Sequence, residues 1–172
     1  MESSIFLIKK VNGNGSTRGL LWKAYPLTKG KSEKEEKRMS IPFEGGCHCG
    51  AVRYVVSEDP ITIINCHCGD CQKIAGAPFI TGVFLPEGSV KIDGQLTSYR
   101  VEADSGNGLT RSFCPKCGTR ILVQPEGMEG IAVSYTSLDD NTWLEPEVEF
   151  YTNKAQPWVT LCEKTQKLSE MT

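Results

Sequence analysis

The chain has 172 residues, 39% hydrophobic and 23% charged, with a formal net charge of −2. That length suits one domain with a tail, and the composition supplies a modest core but no run near the ~20 apolar residues of a membrane span. The faintly acidic balance argues against a nucleic-acid partner, because a phosphate-binding face needs a surplus of Lys and Arg.

Residues 1–40 read as an N-terminal extension, disordered or extraneous to the working unit. Gly13, Gly15, Ser16 and Gly19 interrupt any helical period. Lys29 to Arg38, KGKSEKEEKR, carries both signs and reads as a solvated linker. Residues 1–31 hold six Lys/Arg against one acid, Glu2. That faintly resembles a transit peptide, but Arg is scarce and the amphipathic period poor. A cytoplasmic location is therefore expected, with mitochondrial targeting as the alternative. Met39 stands where the functional unit could begin.

Residues 41–168 then form one β-rich domain. Strands are expected at 51–56, 61–65, 79–85, 89–92, 97–101, 110–114, 120–123 and 130–134, separated by Gly, Pro and Asp turns. Short strands at regular spacing point to a stack of sheets. Helix is expected only around Cys68 to Ala75, as one or two turns. Glu58-Asp59 before Pro60 reads as a turn, Trp143 and Trp158 as packing or surface covers, and Phe79 and Tyr135 as ordinary strand aromatics.

Seven of the eight cysteines fall in three clusters: Cys47-His48-Cys49, Cys66-His67-Cys68-Gly69-Asp70-Cys71 and Cys114-Pro115-Lys116-Cys117-Gly118. Disulfides are the rival use of such thiols, but no secretory apolar segment precedes them. Paired cysteines one residue apart also suit a shared metal better than separate bridges. Zinc takes four ligands at tetrahedral geometry. Seven sulfurs are one short of two closed sites, so they divide as four plus three.

Cys114-Pro-Lys-Cys117-Gly has the form of a zinc knuckle, in which the glycine permits the tight turn. Cys47 and Cys49 are the neatest other half, and the four cysteines are expected to staple distant parts of a small sheet around a structural zinc. Cys66, Cys68 and Cys71 remain, converging from a turn that enters a helix. A three-thiolate zinc keeps an open position, where an incoming thiol, a carbonyl or water could be activated. A protein ligand could equally close it. Cys162 reads as a lone tail thiol. His48 and His67 either ligate or shuttle protons, or simply point outward. No nucleophile elbow, P-loop or dinucleotide fingerprint is present.

Gly45-Gly46-Cys47-His48-Cys49-Gly50-Ala51-Val52-Arg53-Tyr54, then Cys66-His67-Cys68-Gly69-Asp70-Cys71-Gln72-Lys73, Gly76-Ala77-Pro78-Phe79 and Phe113-Cys114-Pro115-Lys116-Cys117-Gly118 closely resemble the glutathione-dependent formaldehyde-activating enzyme family. That family also includes the centromere protein V group. The resemblance runs from Ile41 to Trp158 and is specific, because all three cysteine clusters recur in order. It implies a mainly β fold, the Mss4-like β-tent of packed antiparallel sheets stapled by zinc, with little helix. It implies a structural zinc on Cys47, Cys49, Cys114 and Cys117 and a catalytic zinc on Cys66, Cys68 and Cys71. The family's named activity joins formaldehyde to glutathione and is classed with carbon–sulfur lyases. The expected function is thus a zinc-dependent carbon–sulfur lyase acting on small thiol adducts, with His67 or Lys73 handling protons or substrate carboxylates. The rivals are a non-catalytic zinc-stabilised binding module of the centromere protein V type and a chaperone-like module. The first calls for a pronounced basic extension, which the mixed-charge tail does not supply.

Overall fold

The computed structural model describes residues 40–103 and 106–170. The N-terminal extension assigned to residues 1–40 lies, apart from Ser40, outside the described residues.

Eleven strands and one short helix follow in chain order: β1 Phe43–Gly46, β2 Arg53–Val56, β3 Thr62–Cys66, α1 Gly69–Ala75, β4 Ile80–Leu85, β5 Val90–Asp93, β6 Thr97–Glu102, β7 Gly108–Phe113, β8 Arg120–Pro125, β9 Ile131–Ser134, β10 Val148–Phe150 and β11 Gln166–Lys167. All eight expected strands occur, with their ends shifted by one or two residues. Three strands had no sequence signal. β1 reads FEGG, which has no β-branched residue, while β10 and β11 have three and two residues. Tyr135 departs from the expectation of a strand aromatic. It opens a 3-10 turn, Tyr135–Ser137, because the chain bends there so that Ser137 can meet Tyr54, Oγ to OH 2.8 Å.

The strands form two sheets. The small one has the order β1-β2-β5, and the large one β11-β10-β3-β4-β9-β8-β7-β6. Neighbours are antiparallel except at one edge, where β10 runs parallel to both β3 and β11. The mainly β, two-sheet architecture with little helix is the expected one.

One buried cluster draws on both sheets. The small sheet sends in Phe43, Tyr54 and Val56, and the large one Ile63, Val83, Leu85, Ile121 and Val133. Alternation does this in β2, where Tyr54 and Val56 face inward and Val55 faces solvent. Val83 and Leu85 are fully enclosed, and each such side chain contributes about 1.5–3 kcal/mol. Burial also pushes the Tyr54 hydroxyl up to about 12. Trp143 packs edge-on against Phe43, with ring centroids 5.4 Å apart, whereas Trp158 is 70% exposed. Glu58 and Asp59 lie in an exposed bend after β2, as read from the sequence.

Candidate metal centres

The first centre is built from two hairpin turns. Between β1 and β2, Cys47 N–H donates to the Val52 carbonyl (2.9 Å) and Gly50 N–H to that of Cys47 (3.0 Å). Between β7 and β8, Cys114 N–H donates to Thr119 O and Gly118 N–H to Cys114 O, both at 2.9 Å. Gly50 and Gly118 sit at φ 76° and 72°, a region that side chains resist, and so close both turns. His48 N–H donates to Thr119 Oγ1 across the two turns (3.1 Å). The hairpins belong to different sheets, so the four cysteines join the two sheets rather than parts of one.

Cys47, Cys49, Cys114 and Cys117 bring their sulfurs within 4.8 Å of one another. Cys47 and Cys49 are 3.5 Å apart, and Cys49 and Cys114 3.8 Å. Tetrahedral zinc with bonds of about 2.3 Å places its ligand sulfurs about 3.8 Å apart. The spacing therefore fits that ion. Backbone donors favour ionised sulfur: Val52 N–H points at Cys47 Sγ from 3.2 Å. The Thr119 hydroxyl and N–H together hold the Cys117 thiol down at about 5.

The second centre lies where β3 runs into α1. Cys66 ends the strand, and Cys68 caps the helix, its sulfur accepting from Cys71 N–H at 3.4 Å. Capping fixes the expected helix start, and Gly76 closes the far end. The three sulfurs lie within 4.8 Å of one another. Cys66 and Cys68 are buried and Cys71 is half-buried, packed with Ile64, Phe150 and Tyr151. Tyr151 holds a left-handed backbone, φ 57°, at this spot, a conformation that costs a non-glycine residue free energy. Hydrogen bonds from Cys66 and Cys71 pull the Cys68 thiol far down, the bond with Cys68 pushes Cys66 up to about 11, and the bonds with Cys66 and Cys68 push Cys71 higher still. A dication lets all three ionise, so the donor set fits zinc as well.

The two histidines part company. His48 is exposed, as an outward-pointing residue should be. His67 is 1% exposed, which overturns the outward reading for it. Its Nε2 donates to Glu149 Oε2 at 2.6 Å, and its ring packs on Phe79 at 5.2 Å. Its Nδ1 is buried with no hydrogen-bond partner among the described residues. Glu149, also 1% exposed, accepts further at Oε1 from Cys162 N–H (2.7 Å) and Thr165 Oγ1 (3.2 Å). Cys162 thus contributes its backbone to the network, while its thiol stays exposed and outside both clusters. Gln72 ties the helix down, its Nε2 donating to the carbonyls of His67 (2.6 Å) and Lys154 (2.9 Å). Lys73 is exposed in the last turn. All eight cysteines are free thiols, so no disulfide competes for them.

Glu149 escaped the sequence reading, and so did Arg111, which reaches Asp70 of α1, and Arg120 on the neighbouring strand. In Val148-Glu149-Phe150 the burial pattern puts the Glu inside, the reverse of what alternation suggests. No local signal could have found it.

Three comparisons bear on this arrangement. The family model described as glutathione-dependent formaldehyde-activating enzyme matches residues 42–154. A Halomonas elongata protein named "Putative glutathione-dependent formaldehyde-activating enzyme" is 30% identical over 134 residues, which cover 72% of this chain and 83% of that protein. A crystal structure of a Rhodobacter sphaeroides protein aligns with a TM-score of 0.47 at 21% identity, over 62% of this chain and 97% of its own. The matched segment spans both cysteine centres and most of the two sheets that carry them, and on that match the chain belongs to the glutathione-dependent formaldehyde-activating enzyme family.

Proposed function

We propose that this protein is a zinc-dependent carbon–sulfur lyase that makes and breaks adducts of a small thiol with a one-carbon electrophile, glutathione with formaldehyde first among them. The observation that carries the reading is the three-sulfur centre. Cys66, Cys68 and Cys71 converge with no fourth Cys, His, Asp or Glu ligand grouped with them among the described residues, and the adjacent His67 is turned away onto Glu149. Family membership supports glutathione and formaldehyde as the pair to test first.

In this reading Cys47, Cys49, Cys114 and Cys117 hold a structural zinc, and Cys66, Cys68 and Cys71 a catalytic one. Bound by three thiolates, zinc supplies Lewis acidity and lowers the pKa of an incoming thiol. The substrate sulfur attacks the aldehyde carbon, the C–S bond forms, and the carbonyl electron pair moves to oxygen, which takes up a proton. The reverse breaks the same bond. The Glu149–His67 pair holds the Cys66–Cys68 loop, and Gln72 holds the helix that carries Cys71. Residues 41–168 form the working unit, residues 1–40 lie outside the chemistry, and free thiols suit a reducing compartment such as the cytoplasm.

The test is adduct formation followed by NMR. Zinc-loaded protein should form the hydroxymethyl thioether of glutathione faster than the spontaneous reaction, and Cys71→Ser should return the rate to background. If no thiol in a panel binds and none turns over, the protein is the binding module instead.

A further inference from the structure

Two arginines that the chemistry above does not use lie on neighbouring strands, and one of them, Arg111, reaches Asp70 beside Cys71. Arg111 lies within β7 and Arg120 opens β8. Phe113 pairs with Arg120 and Ser112 with Leu122, so a bulge leaves Ile121 as the extra residue. Ile121 drops fully into the core. Strand side chains alternate between faces. Arg111 therefore shares a face with Phe113, and Arg120 joins it from the neighbouring strand. The hairpin that carries Cys114 and Cys117 to the first centre thus presents two guanidiniums on the face from which Arg111 reaches Asp70, the residue before Cys71.

Their charge is poorly balanced. Arg111 is 8% exposed, and its one ion pair among the described residues is with Asp70 of α1, Nη2 to Oδ2 at 3.6 Å. That is beyond good hydrogen-bond range. The Arg120 side chain makes no hydrogen bond or ion pair with a described residue. Burial pulls its guanidinium below the ordinary value. Its partner across the ladder is Phe113, two residues from Arg111. Charges taken out of water are costly unless paired. Arg111 thus has one long contact to a half-exposed carboxylate, and Arg120 has no carboxylate partner among the described residues.

We propose that Arg111 and Arg120 form a receptor for a carboxylate of the thiol substrate, so that the centre selects anionic thiols over neutral ones. The inference rests on the thiol reading given above. Arginine forks match a carboxylate bidentately and are strongest where water is excluded. Lys73, exposed on α1, is a weaker receptor because solvent screens it. The competing role for the pair is to balance the cysteine thiolates, and the two roles separate by experiment.

Zinc-loaded full-length protein is titrated calorimetrically with 3-mercaptopropionate and with 2-mercaptoethanol, a carboxylated and a neutral thiol of similar size. Comparing wild type with variants cancels the intrinsic difference between the two thiols. Arg120→Leu should weaken 3-mercaptopropionate by about tenfold or more, the scale of a charge-assisted hydrogen bond. It should leave 2-mercaptoethanol within about twofold and leave the zinc content, read by native mass spectrometry, unchanged. Arg120→Lys should recover part of the loss, Arg111→Gln should repeat the pattern, and Lys73→Met should not. If both thiols weaken alike and zinc is lost, the arginines serve the thiolates and the receptor is wrong. If both thiols bind and no arginine variant alters either, the receptor alone falls. If neither thiol binds wild type, the thiol reading falls and takes the receptor with it. Should Arg120→Leu fail to fold, Arg120→Lys and Arg111→Gln carry the same comparison.

Discussion

Two Cys-His-Cys tripeptides, 47–49 and 66–68, meet different fates in one fold. In the first the histidine faces solvent, and the cysteines join a second turn to make a four-sulfur group. In the second the histidine is sealed inside against Glu149, and the cysteines find only Cys71. The local sequences are nearly alike, so the difference comes from what surrounds them. The first tripeptide sits in a hairpin turn and meets another hairpin from the opposite sheet. The second sits where a strand becomes a helix, beside β10, whose buried carboxylate captures the ring. One region is suited to joining sheets, the other to keeping a coordination position free.

The largest expected effect separates the two centres by stability. Cys114→Ser should unfold the domain at ambient temperature, because structural zinc supplies folding free energy on the order of 10 kcal/mol. Cys68→Ser should keep its circular-dichroism melt near that of wild type while abolishing thiol binding. Equal losses of thermal stability in the two variants would erase the distinction.

Chelation sharpens the same contrast. Native mass spectrometry should find up to two zinc ions per chain. A stepwise chelator titration should strip the three-cysteine centre first, since four thiolates hold zinc more completely than three. Simultaneous release of both ions would mean that the centres are equivalent.

The histidines provide the third comparison. Glu149→Ala removes the acceptor of three buried or half-buried donors, His67 Nε2, Cys162 N–H and Thr165 Oγ1. Breaking such a buried charged network costs about 3–5 kcal/mol, measurable as a lower urea midpoint. His48→Ala, on an exposed side chain, should stay within about 0.5 kcal/mol of wild type.

The smallest effect belongs to the first hairpin. Arg53 forms a two-armed pair with Asp139 and holds its carboxyl below the ordinary value of 3.8. A depressed acid contributes stability above its unfolded value and loses it as the pH falls through the folded one. Both side chains are about half exposed, so the contribution stays below about 1 kcal/mol. Asp139→Asn should lower stability slightly at neutral pH, and that difference should vanish in acid. A difference that persists at low pH would show that the pair acts through packing rather than charge.

Composition, spacing and alternation were enough to determine the strand-rich fold, the short helix of the 68–75 segment, and the division of seven cysteines into four and three. Those features are local: a knuckle is four residues long, and a strand shows its period over five. Tertiary structure alone decided which histidine is buried, that the four-cysteine group bridges two sheets, and that Arg111 reaches Asp70 beside Cys71. His67 and Glu149 are 82 residues apart in sequence. They meet through a parallel pairing of β3 with a three-residue strand, which is too short to announce itself and carries its charge on the buried face. Local propensity says whether a segment extends or coils. Which distant segment lies beside it is set by the packing of the whole domain, and that packing placed the residues that distinguish one cysteine centre from the other.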